Sequence, residues 1–225
     1  MFMKRIESFR QRFNAFGLVA LAGFVIPLVM IVTEVLLIYF NVGYDPLIES
    51  ISALGLKPLG WVQSISFLVI GLLIEVFTIG LYFAVRRKKG FGTGIFILSL
   101  CGFGLLLLGS FRTQPIGAPM TFESGLHLFT ARTIFILFPI SCFLIAFSLK
   151  SDANWHSLFV YTIVTGIITF ILVLLWIQIS TIYWFGLYER ILVANEVIWL
   201  EVMSARLLIL SFRSTAVSPA PEANT

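Results

Sequence analysis

The sequence predicts an all-α fold of the polytopic membrane class, a bundle of six transmembrane helices with the N-terminus and C-terminus both cytoplasmic. Three observations carry this prediction. The chain of 225 residues is 59% hydrophobic and only 12% charged, with a mean hydropathy of +1.03, more apolar surface than a water-soluble core of that size can hide. Six segments, at about 16–40, 61–85, 91–111, 126–149, 157–181 and 191–212, each have the roughly 20 apolar residues that cross a hydrocarbon layer. Lysine and arginine gather in alternate connections, and positive loops stay on the cytoplasmic side.

Residues 1–15 form a basic cytoplasmic N-terminus carrying Lys4, Arg5, Arg10 and Arg12. The span that follows has about 25 apolar residues and no small-residue cleavage pattern after it, so it reads as a retained helix rather than a signal peptide. The second span ends at Arg86, Arg87, Lys88 and Lys89, which hold its end inside. The third carries no charge, and Gly90, Gly92, Gly94, Gly102, Gly104 and Gly109 suit it to close packing at the centre. The fourth ends at Lys150 and the sixth at Arg213. Outside lie the two longest loops, 41–60 and 112–125, with few basic residues. The tail, 213–225, is rich in Ala, Pro, Ser and Thr and is expected to be disordered. Trp61, Tyr183 and Trp184 outside and Trp155 inside fit interfacial aromatic belts.

Ionisable residues within the spans are the features with functional content, because charge in hydrocarbon is costly. Glu34, Glu75, Glu196 and Glu201 are accompanied by only Arg132 and Arg206. At 1.5 Å per residue, Glu34, Arg132 and Glu196 lie about 7 to 9 Å below the outer surface. Glu75 and Glu201 fall near the midplane and Arg206 in the inner half. Pro27 and Pro139 occupy matching positions in the first and fourth spans, but Glu34 and Arg132 lie on the same outer side of them. An inverted repeat would place those charges at opposite depths, so the expectation is a buried Glu34–Arg132 salt bridge instead. The formal excess of two acids is relieved if one or both of Glu75 and Glu201 hold a proton. The alternative is that these two meet across the second and sixth helices and share a proton or cation.

The outer charges continue into a polar group of His127, Glu189, Arg190, Asp45, Glu49, Ser50 and Ser52. Glu189 and Glu196, seven residues apart, project from one helical face and suggest a funnel leading inward. A Ser, His and acid triad drawn from Ser50 or Ser52, His127, and Asp45 or Glu189 remains open, although no nucleophile elbow accompanies it. No metal or cofactor is expected, since His127 and His156 fall on opposite sides and Cys101 and Cys142 at different depths. The pI near 9.3 follows from the topology signal and implies no nucleic acid.

Several outer-face segments resemble a known family. The run YDPLIESISALG, which ends at Gly55, is similar to the acidic segment and ISxLG that follow the first helix in bacterial and archaeal membrane proteins of the domain-of-unknown-function family DUF998. Gly109, Ser110 and Phe111, then Thr121, Gly125 and His127 in TFESGLH, resemble that family's GxF segment and the residues opening its fourth helix. Gly186, Glu189 and Arg190, with Trp199 later, resemble its G-x-x-x-R and downstream Trp. The resemblance covers about residues 20–212 and implies six helices in a prokaryotic cytoplasmic membrane, without an established activity. Family members tend to carry an Asp shortly after GxF, where this chain has Arg112, Thr113 and Gln114.

The leading functional reading is an outward-facing pocket for a small or amphipathic, lipid-like ligand. In it Arg132 and Arg190 hold anionic groups, His127 donates or exchanges a proton, and Asp45, Ser52 and Glu189 complete the site. The partner is membrane lipid. The alternatives are an accessory subunit with a protein partner in a larger membrane complex, and a proton- or cation-coupled transporter using Glu75 and Glu201.

Overall fold

The computed structural model describes residues 2–115, 117–179 and 184–216, with side chains described over 17–115, 117–176 and 184–212. Six long helices follow one another: α1 (Phe2–Phe40), α2 (Gly60–Ala84), α3 (Phe91–Ser110), α4 (Phe122–Lys150), α5 (Phe159–Ile179) and α6 (Phe185–Ala216). Two 3₁₀ turns, Ile51–Leu56 and His156–Leu158, punctuate the connections, and no strand occurs among the described residues. Helix is the only economical state for such apolar chain, because in hydrocarbon every backbone N–H and C=O must find its partner within the segment.

Five helices are long and apolar enough to cross a membrane: Gly17–Phe40 of α1, α2, α3, α4 and His156–Trp176 at α5. The chain is a multi-pass membrane protein. The remaining helix, α6, has the length, but Glu196, Glu201 and Arg206 interrupt its apolar middle. It begins at Phe185, six residues ahead of the apolar segment that hydropathy marks out. Glu189 and Arg190 hide this start from the sequence; both find partners in the loop between α1 and α2, so helix forms through them. At the other end α6 runs to Ala216, into the segment expected to be disordered, while 217–225 and Tyr183 lie outside the described residues.

The helices form a ring. Each packs on its neighbours in sequence, and α6 closes onto α1. The uncharged α3 lies between α2 and α4, and glycine allows the approach on one side: a Cβ added at Gly71 would sit 2.8 Å from the Gly102 carbonyl, too close for any side chain. Exposed Leu28, Ile31, Leu72, Phe96, Phe147 and Ile168 turn outward, as lipid-facing residues should. The connection between α2 and α3 is locked by the end of α4 and the turn that follows it: Asp152 Oδ2 accepts from the Arg86 N–H at 2.7 Å and Ser148 Oγ from the Lys88 N–H at 3.0 Å. Trp155, expected at the interface, is instead fully buried and donates Nε1–H to the Ala84 carbonyl at 3.2 Å. Its indole has a protein acceptor, so it does not need the headgroup layer.

Candidate functional site

The loop between α1 and α2, the one expected on the outer side, is held against α6, and this contact builds one wall of the site. Gly186, in the first turn of α6, lies beneath the loop; a Cβ there would collide with the carbonyls of Pro46 and Glu49. One turn on, Arg190 reaches the same carbonyls, donating from Nη1 to Pro46 at 2.8 Å, Glu49 at 3.1 Å and Gly186 at 3.0 Å. Nη2 donates to the Tyr44 hydroxyl at 2.6 Å, and Nε pairs with Glu34 Oε2 at 3.3 Å. Burial pushes the Tyr44 phenol up to about 12, against the lowering pull of Arg190. The hydroxyl therefore stays protonated, accepting from Arg190 and donating to the carbonyls of Ser50 at 2.9 Å and Glu49 at 3.1 Å.

The 3₁₀ turn Ile51–Leu56 is capped twice at its start. Ser50 Oγ accepts from the Ala53 N–H at 3.2 Å, and Glu189 Oε2 from the Ile51 N–H at 2.7 Å. The turn presents Ser52, whose Oγ lies 3.0 Å from His127 Nε2. The other ring nitrogen, Nδ1, is 2.7 Å from the Phe111 carbonyl, which can only accept. Nδ1 therefore carries the hydrogen, and in the neutral ring Nε2 accepts from Ser52. His127 lies in the second turn of α4, whose start is fixed by a capping box between Thr121 and Ser124.

Inside the ring is a cavity of about 100 Å³ lined by α1, α2, α3, α4, α6 and the 3₁₀ turn. Ser52, Glu189, Gln63 and Glu34 line it toward the outer loop; Ser66 and Glu196 follow, and Ile26, Ile74, Phe138 and Leu200 supply apolar wall. Glu189 and Glu196 thus face the same space from one side of α6. Three of its polar atoms, Glu34 Oε1, Gln63 Oε1 and Glu196 Oε1, are buried without any hydrogen-bond partner among the described residues. Glu196 is only 8% exposed and makes no hydrogen bond or ion pair among the described residues. Among the described residues three carboxyls therefore face the cavity, and the Arg190 guanidinium beside them is committed to Glu34 and the loop. No cluster of metal-ligating side chains occurs among the described residues.

The remaining residues singled out in the sequence lie elsewhere. Arg132 is exposed on the outer side of α4, away from the cavity lining, and α1 and α4 are not neighbours in the ring. The expected Glu34–Arg132 bridge is therefore replaced by Glu34–Arg190. Asp45 is exposed and closes its own turn through the Leu47 N–H at 2.9 Å. Glu75 accepts from Ser99 Oγ at 2.6 Å on α3, whereas half-buried Glu201 lies near Tyr161 of α5. They do not pair: each faces a different neighbouring helix. Arg206 donates Nε–H to the Asn154 carbonyl at 2.6 Å in the connection between α4 and α5. Trp199 donates to Thr162 at 3.1 Å and Asn195 to Thr169 at 2.7 Å, making a polar seam that holds α6 to α5. Gln63, Ser66 and Tyr44 were not marked by sequence reasoning. For the first two a signal existed, since polar residues three apart on an apolar helix share a face.

A ring of apolar helices around a largely apolar internal cavity that three carboxyls face, bounded by the loop between α1 and α2, defines a multi-pass membrane protein with an internal site. The chain belongs to the family described as "Protein of unknown function (DUF998)", whose sequence model matches residues 20–206. No curated protein and no solved structure matches it.

Proposed function

We propose that the protein crosses a prokaryotic cytoplasmic membrane six times, with both termini cytoplasmic, and that its outward-facing cavity binds the cationic, donor-rich head of an amphipathic ligand. The observation that carries this reading is the trio of buried, unpartnered oxygens on Glu34, Gln63 and Glu196 around one cavity. Such groups are costly when empty-handed and strongly favourable when a charged donor meets them. An ammonium supplies up to three donors and the missing positive charge. The apolar wall beyond then receives the first part of the ligand's tail.

This reverses the charge sense expected from the arginines. Arg190 is committed to the outer loop and Glu34, and Arg132 faces away from the cavity. The space is near the ~150 Å³ of an engineered cavity that accepts one benzene ring, so the head must be compact. Transport through Glu75 and Glu201 draws no comparable support, since neither lines the cavity.

The test compares dodecylammonium with dodecanoate, both below their micellar concentrations, by thermal denaturation of the purified protein. The ammonium should raise the unfolding temperature and the carboxylate should not. Equal shifts would point to tail binding alone, and a shift confined to the carboxylate would overturn the cationic reading.

A further inference from the structure

Ser52 and His127 form a pairing that ligand binding leaves unused. A serine hydroxyl is a poor nucleophile unless a base takes its proton in the same step. Three conditions make that possible: a base within hydrogen-bond reach, a partner that fixes the base's tautomer, and open space on the far side of the hydroxyl for the reacting carbon. All three are met here. His127 Nε2 is 3.0 Å from Ser52 Oγ, and Nδ1–H is held by the Phe111 carbonyl at 2.7 Å. Ser52 lines the cavity, whereas His127, 5% exposed, stands behind it. The hydroxyl is thus presented to the space with its base directly behind it.

The surroundings make the arrangement rigid. The turn carrying Ser52 is capped by Ser50 and Glu189, and it is tied through Tyr44 and Arg190 to α6. The Ser52 N–H, in the first turn of this 3₁₀ helix, has no acceptor among the described residues. A free N–H on the nucleophile's own residue is one of the donors that stabilise an oxyanion. The third member of the pairing differs from the acids considered in the sequence. Asp45 closes its own turn and Glu189 caps Ile51, and a backbone carbonyl takes their place on the imidazole. A carbonyl fixes the tautomer but brings no charge to the imidazolium, so the nucleophile should be slower than one backed by a carboxylate.

We propose that Ser52 is the nucleophile and His127 the general base for hydrolysis of a carboxylic ester borne by an amphiphile seated in the cavity. As Ser52 Oγ bonds to the acyl carbon, its proton passes to His127 Nε2. The ester C–O bond then breaks, and His127 returns that proton to the departing alkoxide, which leaves as an alcohol. Water attacks the acyl-serine while His127 takes a proton from it; the acyl–Oγ bond breaks, Ser52 regains its proton and a carboxylic acid is released. The net change is ester plus water to acid plus alcohol. This activity goes beyond the binding reading and does not depend on a cationic head.

The test is treatment of the purified full-length protein with a long-chain alkyl fluorophosphonate, read by intact mass and peptide mapping. The expected result is a single phosphonyl adduct on Ser52, absent from Ser52→Ala and formed about 100-fold more slowly in His127→Gln. Thermal denaturation of both variants shows whether they remain folded. No adduct on Ser52 of the folded wild-type protein would overturn the proposal, as would an undiminished rate in folded His127→Gln. Failure here with dodecylammonium binding intact would remove the activity and leave the binding reading standing.

Discussion

Arg190 joins three parts of the protein at once: helix α1 through Glu34, the outer loop through two carbonyls and Tyr44, and its own helix through Gly186. Removing one partner of a buried ion pair leaves the other charge uncompensated, at a cost of about 3 to 5 kcal/mol. Arg190→Met should therefore lower stability by about that amount, measured by denaturant unfolding in detergent. Arg190→Lys should recover only part of it, since an ammonium cannot reproduce the guanidinium fork. Tyr44 gives a pH signature at the same place. Burial favours its neutral phenol in the fold, so its contribution is complete below the ordinary value of 10 and is lost as pH rises through about 12. A stability profile across that range should show the fall, and Tyr44→Phe should lack it.

At the scale of elements, the outer loop depends on α6 for its position. Gly186 and Arg190 form a one-turn platform: the glycine permits contact with the Pro46 and Glu49 carbonyls, and the arginine bonds to them. Gly186→Val should push the loop away, because the atoms met are rigid backbone. Limited proteolysis between Tyr44 and Lys57 should become faster in that variant, with the helical content unchanged. The helices themselves were legible because hydropathy and length are local properties. The start of α6 was not, because Glu189 and Arg190 find partners about 140 residues away in sequence. Helical periodicity held more information about the site than depth alone. Arg132 follows His127 by five residues, so the two point about 140° apart on α4. Depth made Arg132 a partner for Glu34; direction excludes it. Glu189 and Glu196 are separated by a heptad, and both do line the cavity.

For the whole molecule, closure of the ring by α6 against α1 turns six hydrophobic rods into a container. Pairwise helix order is not written in hydropathy, and the cavity exists only once that order is set. Its contents could be anticipated only in part: the outer acids and Ser52 were recognised in sequence, Gln63 and Ser66 were not. The proposed orientation makes its own prediction. Val42→Cys, exposed in the outer loop, should react with a membrane-impermeant maleimide in intact cells, whereas Lys89→Cys should react only after permeabilisation. Labelling in the opposite order would invert the topology and turn the cavity inward.

In the proposed function, the unpartnered carboxyl of Glu196 and its neighbours wait for a cation. Isothermal titration of dodecylammonium into wild-type protein and Glu196→Gln is the sharpest test. Loss of one charge-assisted hydrogen bond, about 1.5 to 3 kcal/mol, predicts binding weakened roughly 10- to 100-fold in the variant. Equal affinity for the two proteins, or tighter binding of dodecanoate than of dodecylammonium, would contradict it.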